Sequence, residues 1–411
     1  MSEKELIDNK HNFAQSVNTL IPSGYAEYSS NMKNVVKDIL ALLDRNNIPT
    51  PKPITKSWKS SGSGSAASKA YAMQGVLKYH GLADPDWRTA FMPSISVNND
   101  AAYTIAHVNF SEAIEHDNLH INGKPIYGNK LKRVVKILDF VRQLAGSNNR
   151  ATVHSKNVVR GGGHGKGLGT SAAAGAALAK AAIAAMLGTE TANDPRLVSS
   201  TARLLSGSAC RSVVGGLALW LSYPGIAHDD CFAIRLDTEN QLDDLCLITV
   251  PIESSIGLVT DQAHRTAVHS PFFRNWIENR GQDTIKCIDA ISQQDWELVA
   301  QLAEKDSMRL HGVSMTTNLS NPLIAWEPQN ILLFQMCHRL RAKNVPVYFS
   351  TDTGPSTVFL THSDYQDEVI HNISLLDLEL DIIPGQIAGP AKLLPSSDVL
   401  TDLDILEQSS A

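Results

Sequence analysis

The apolar positions of this chain change their period along its length. Between residues 31 and 47, Val35, Val36, Ile39, Leu40, Leu42 and Leu43 recur three and four apart, the stripe of one packed amphipathic helix. IPTPKPITK (48–56) is too rich in proline to continue it and predicts a linker or extended strand. SSGSGSAAS (60–68) is small and polar and predicts a loop. From residue 69 onward, short β-like runs alternate with helices. Strands are predicted over 94–97, 102–108 and 151–159, a strand and turn over 119–125 around Asn122-Gly123, and an amphipathic helix over 131–144. Asp194-Pro195 marks a helix start, an acidic cap followed by proline in the first turn. The small residues of 206–220 interrupt that helix and begin another. Further strands are predicted over 245–251, 345–350, 356–361 and 378–384, with helices reaching 303–310 and 330–342. Strands interleaved with helices in both halves predict two α+β domains with a cleft between them. A composition change at 227–237 sets the expected boundaries: an extension over 1–55, a first domain over 56–228 and a second over 229–411.

The 28 residues from Gly161 to Gly188, GGGHGKGLGTSAAAGAALAKAAIAAMLG, break this pattern. Six glycines leave a loop almost without side chains, and Thr170-Ser171 then opens an alanine-rich helix. Such a loop offers unpaired backbone N–H groups and the positive end of a helix dipole, which suits a phosphoryl group. A plain glycine turn capped by Thr170 or Ser171 would produce the same letters.

Composition narrows the field. The chain has 411 residues, 43% hydrophobic and 19% charged, and reads as a globular protein of two domains. No apolar run is expected to reach membrane-spanning length, and the N-terminus lacks a secretory core, so a cytoplasmic protein with no membrane partner is expected. Five widely spaced cysteines without a C-x-x-C pair read as reduced thiols, and the fourteen scattered histidines show no metal-binding spacing. No metal is therefore expected. A net charge of −6 without a basic stripe argues against a nucleic-acid partner. An anionic ligand would need cations placed locally.

Four motifs supply candidates: LKYHG (77–81), GLGTSAA (167–173), SGSACRS (206–212) and STDTGPST (350–357). Alone, each has an ordinary explanation: an exposed Lys-Tyr strand end, a helix junction with one arginine, an aspartate capping a turn. In this order, from residue 69 to 394, they resemble the mevalonate diphosphate decarboxylases of the GHMP kinase superfamily. LKYHG resembles that family's KYWG segment, GLGTSAA its phosphate loop, SGSACRS its serine–arginine motif and TDTGP its FDAGP. The segments 259–273, 306–313 and 385–391 add weaker echoes.

The resemblance implies a GHMP kinase-like fold, with a ribosomal-protein-S5-like N-terminal half, a ferredoxin-like C-terminal half and the site in the cleft. It also implies loss of carbon dioxide from a 3-hydroxy acid phosphorylated on its tertiary oxygen. Phosphate contacts would come from Gly167, Gly169, Thr170 and Ser171. A carboxylate clamp would come from Arg211 with Ser206 and Ser208. Asp352 would sit near the developing cation, and Lys78 and Tyr79 near substrate phosphate and that aspartate.

The departures bear on the substrate. His80 replaces the family's Trp, and Leu82 stands where a second lysine would hold a terminal diphosphate. Residues 251–255 offer an acid in place of a family cation. Two lost charged hydrogen bonds at roughly 1.5–3 kcal/mol each would favour a single 5-phosphate. The loop proline is glycine, and His164 and Lys166 stand among the glycines, an arrangement suited to a phosphate already on the substrate. These features predict a mevalonate 3,5-bisphosphate decarboxylase that uses no ATP and releases isopentenyl phosphate. The alternatives are an ATP- and Mg2+-dependent decarboxylase of mevalonate 5-phosphate or 5-diphosphate, a GHMP small-molecule kinase, and a binding module with a dead site. The extension is open to three roles: covering an apolar face, closing the cleft, or making a homodimer contact.

Overall fold

The computed structural model describes residues 17–54, 58–162, 167–254, 260–317, 322–395, 399 and 403. The strands of its first part are β1 Gly64–Leu77, β2 Leu82–Asp84, β3 Thr89–Ala90, β4 Ser94–Ser111, β5 Asn118–Ile121, β6 Lys124–Pro125, β7 Arg150–Val159, β8 Leu217–Trp220 and β9 Ala233–Arg235. Those that follow are β10 Leu245–Val250, β11 Val347–Thr351, β12 Thr357–His362, β13 Ile383–Gly385 and β14 Lys392–Leu394. An eight-stranded sheet runs β14-β1-β4-β7-β5-β6, with β8 and β9 continuing from the start of β4. A four-stranded antiparallel sheet has the order β11-β12-β10-β13.

Alternation along the smaller sheet explains its apolar strands. Leu245 and Leu247 of β10, Tyr348 of β11 and Val358 and Leu360 of β12 join the main core. The intervening Ile248, Val250, Val347, Phe349 and Phe359 face a second core with Leu333, Phe334 and Leu340 of the helix Pro328–Arg341. A sheet covered on both faces is apolar on both.

Several expectations need correction. The strands predicted over 94–97 and 102–108 are one strand of 18 residues, because the polar Asn98-Asn99 between them is satisfied by long-range partners. The Asn98 amide donates to Ser212 O at 3.4 Å, and the Asn99 amide to Thr249 Oγ1 at 2.7 Å. β1 begins inside the segment expected to be a loop, since small residues fit beneath the alanine helix. A Cβ at Gly64 would crowd the Ala185 carbonyl oxygen. The helix that begins within 206–220 ends at Val214 and gives way to β8, whose four residues Leu217–Trp220 are all buried. Past residue 228, β9 and β14 still pair within the large sheet.

The helix Thr170–Leu187 is long and apolar enough to cross a membrane, contrary to the sequence expectation, but 83% of it is buried inside the protein. Its alanines let it lie close on β1 and β4 as a core helix. The extension's helix, Ala26–Arg45, forms as predicted and covers an apolar face, with Tyr28 and Met32 packed against Phe91, Phe273 and Trp276. The Tyr28 hydroxyl donates to Phe91 O at 2.9 Å.

Candidate active site

The chain turns sharply into the alanine helix, and that turn builds one wall of a cleft of about 750 Å3. Gly169 is the helix N-cap with a left-handed φ of 72°, and no side-chain oxygen caps the helix. Neither Thr170 nor Ser171 is the cap, since both already belong to the helix. A Cβ on Gly169 would overlap the Met73 carbonyl oxygen, and one on Gly167 would lie 3.1 Å from the Gly354 Cα. Both glycines are required: the first by β1, the second by the loop carrying Asp352. Gly169→Ala is expected to cost at least about 1–3 kcal/mol in backbone strain alone, seen as a lowered denaturant midpoint. An unchanged midpoint would mean the loop rebuilds freely.

Lys78, Tyr79, Gly167, Gly169, Thr170, Ser171, Ser206, Ser208, Arg211 and Asp352 all line this cleft. Lys166, and His164 beside it, lie outside the described residues. The four motifs, far apart in sequence, therefore meet.

Lys78 follows directly on β1, and its Nζ donates to Asp352 Oδ1 at 2.8 Å, to Gly75 O at 2.7 Å and to Ser350 Oγ at 2.6 Å. The side chain of Lys78 is 1% exposed and that of Asp352 18%, so the carboxylate is the partner that reaches the cleft. Burial pulls the Lys78 pKa down, while Asp352 and Asp306 pull it up. His311 lies behind Asp352 with Nε2 2.9 Å from the Asp352 main-chain oxygen. A carbonyl only accepts, so Nε2 carries the proton. Burial, aided by the Lys78 charge, lowers the His311 pKa to about 3 and keeps the ring neutral.

Arg211 is buried on the short helix Ala209–Val214. Its Nε donates to Ser96 Oγ at 2.9 Å, Nη1 to Ser94 Oγ, and Nη2 approaches Met73 Sδ at 3.3 Å. The guanidinium lies 5.5 Å from the Tyr79 ring centroid and 5.8 Å from that of Trp220. Among the described residues, no carboxylate oxygen lies within ion-pair distance of it. A buried guanidinium held by neutral groups and lining a cleft can pair with an anion there. Ser206 Oγ and Ser208 Oγ are 3.1 Å apart on the same wall.

The sequence reading missed further residues here. Arg88, Lys130, Arg133 and His264 also line the cleft, and Asp352 is the only carboxylate doing so among the described residues. Lys130 and Arg133 lie one turn apart on the helix Asn129–Ala145, a basic pair that could have been noticed. Arg88 holds a left-handed φ of 52° and carries no sequence signal. The His264 ring stacks on Tyr79 at 5.0 Å and accepts the Gly81 N–H at Nδ1. The cleft is therefore richer in cations than the departures at Leu82 and 251–255 suggested. His80 does not line the cleft but is fully buried, tilted against His264 at 4.9 Å, its pKa lowered to about 4 by burial.

Residues 70–233 match the family described as the diphosphomevalonate decarboxylase-like N-terminal domain. The chain is 32% identical over 337 residues to a phosphomevalonate decarboxylase of Haloferax volcanii, covering 82% of this chain and 99% of that protein. It is 30% identical over 307 residues to a mevalonate 3,5-bisphosphate decarboxylase of Thermoplasma acidophilum, covering 74% and 73%. The mevalonate diphosphate decarboxylase structure from Enterococcus faecalis superposes with a TM-score of 0.73 at 27% identity, over 81% of this chain and all of that one.

Proposed function

Since the chain belongs to the diphosphomevalonate decarboxylase-like family and has its GHMP kinase-like fold, we propose that it converts mevalonate 3,5-bisphosphate to isopentenyl phosphate, carbon dioxide and phosphate without ATP. That the chain is a mevalonate-pathway decarboxylase, a carboxy-lyase, is the ground on which this finer reading stands. The observation that carries it is the convergence of Asp352, Lys78 and Arg211 on one cleft whose other charged lining residues, among the described residues, are all cations.

The chemistry assigns each a part. The C3–O bond breaks and its electron pair leaves with phosphate. The C1–C2 bond then breaks, carbon dioxide departs, and that pair becomes the new C2–C3 double bond. Positive charge develops at C3 in between. Asp352 stabilises it; with O3 already phosphorylated there is no hydroxyl proton for this carboxylate to take. Arg211, with Ser206 and Ser208, orients the carboxylate that will leave as carbon dioxide. The amides of Gly167, Gly169, Thr170 and Ser171 receive the departing phosphate, an electrostatic role suited to preorganised donors. Lys78 holds Asp352 in place, and the Tyr79 ring lies beside the Arg211 guanidinium. Leu82, which begins β2, does not line the cleft and adds no cation to Arg88, Lys130 and Arg133 there.

A second reading is ATP-dependent decarboxylation of mevalonate 5-phosphate or 5-diphosphate. It is favoured by the apolar arm of the cleft beside the glycine loop, where Ala106, Leu119, Val134, Val153 and Leu178 offer a slot for a flat base. ATP would bring the phosphoryl group, and these residues would hold its base. Purified protein with mevalonate 3,5-bisphosphate and no nucleotide is expected to release carbon dioxide. Carbon dioxide only from parallel reactions with mevalonate 5-phosphate or 5-diphosphate and Mg-ATP would replace the first reading by the second. ADP formation without carbon dioxide would mark a kinase.

A further inference from the structure

Lys78 is gripped by two charges that never reach the cleft. Its main-chain N–H donates to Asp306 Oδ2 at 2.6 Å, and its carbonyl accepts from Arg280 Nη2 at 2.9 Å. Arg280 Nη2 also donates to Asp306 Oδ2 at 2.8 Å, which closes a triangle around one residue's backbone. The remaining Asp306 oxygen accepts from Trp276 Nε1 at 2.8 Å. The side chains of Arg280 and Asp306 are 0% and 1% exposed. The pair does more than offset its own burial, because both side chains are also committed to the main chain of Lys78.

What the pair provides is geometry. β1 ends at Leu77, so the sheet no longer dictates the path of Lys78. Two side chains from the helices Arg280–Ser292 and Trp296–Thr316 take over the hydrogen bonds that a neighbouring strand would have made. Gly75 clears the way for the lysine side chain, since a Cβ there would lie 2.7 Å from Lys78 Cδ and 2.9 Å from Asp352 Oδ1. Trp276 ties the arrangement to the N-terminal segment by packing with Tyr28 and Met32.

We propose that Arg280 and Asp306 are positioning residues, which hold the backbone of Lys78 so that its ammonium group meets Asp352 at the cleft. The proposal rests on the reading above, in which Lys78 and Asp352 work there.

Two variants separate positioning from plain stability. Asp306→Asn removes the charge but keeps an acceptor for the Lys78 N–H, and the double variant Arg280→Met/Asp306→Leu removes both charges together with their hydrogen bonds to Lys78 and Trp276. Each is assayed for kcat and KM on the substrate found active and followed by thermal unfolding. The Lys78 side-chain chemical shift is titrated in selectively labelled protein. Lys78 faces Asp352, Asp306, Arg211 and the neutral His311, with Arg280 at its carbonyl. Asp306 raises the Lys78 pKa, so Asp306→Asn is expected to move that titration to lower pH.

The double variant is expected to stay folded while kcat falls by about a hundredfold, the scale of a misplaced group, with KM within about threefold. A folded double variant with wild-type kcat would overturn the proposal. If the wild type releases carbon dioxide from none of the three substrates, the functional reading falls, and a crystal structure of the double variant decides this inference: a Lys78 ammonium still seated on Asp352 would overturn it.

Discussion

Asp352→Asn is expected to remove nearly all turnover, by about a thousandfold or more (~4 kcal/mol), while substrate affinity stays within about tenfold. The substitution keeps the size and one acceptor oxygen, deletes the charge and turns the other oxygen into a donor. A charge needed mainly when C3 becomes positive acts on the transition state, so its loss appears in kcat. The structure adds a second consequence. Lys78 is buried, and Asp352 is the strongest influence holding it in its ammonium form. Without that carboxylate, burial pulls Lys78 toward the neutral amine, so thermal unfolding must be followed beside the kinetics. A folded Asp352→Asn variant with wild-type-like kcat would remove Asp352 from the chemistry.

Arg211→Lys should lower kcat/KM by roughly a hundredfold or more, a loss of ~2.7 kcal/mol. The guanidinium spends Nε and Nη1 on Ser96 and Ser94, which fixes the plane of the fork beneath the cleft. A lysine ammonium has no such plane and cannot satisfy both serines while reaching a carboxylate bidentately. Alanine would leave a cavity among Met73, Tyr79 and Trp220 and confuse packing with chemistry, so lysine is the better probe. A mild loss in the lysine variant would place the substrate carboxylate elsewhere.

Much of the site was legible because its parts are local. A loop of glycines ahead of Thr170-Ser171 has few uses, and Gly169 has the left-handed backbone such a loop requires. The amphipathic stripe in the N-terminal segment also declared its helix, since periodicity three and four apart survives any packing arrangement. Other features left weaker marks. The polar Asn98-Asn99 looked like a break in β4 because its partners, Ser212 and Thr249, lie more than a hundred residues away. The segment 64–68 looked like a loop because small side chains serve equally well in flexible coil and beneath a close-packed helix.

Residue types and their spacing were thus enough to identify the family, the loop that suits phosphate, and the lysine, arginine and aspartate worth testing. They were silent on depth and on neighbours. That Lys78 is sealed while Asp352 faces the cleft, that Arg211 has serines rather than an acid beside it, and that Arg280 and Asp306 close on the backbone of Lys78 all arise where distant segments meet. Lys78 and Asp352 are 274 positions apart. A local pattern records how each segment must fold, but electrostatics is set by distance and by the exclusion of water, and both come into being only when the two sheets and their helices pack together.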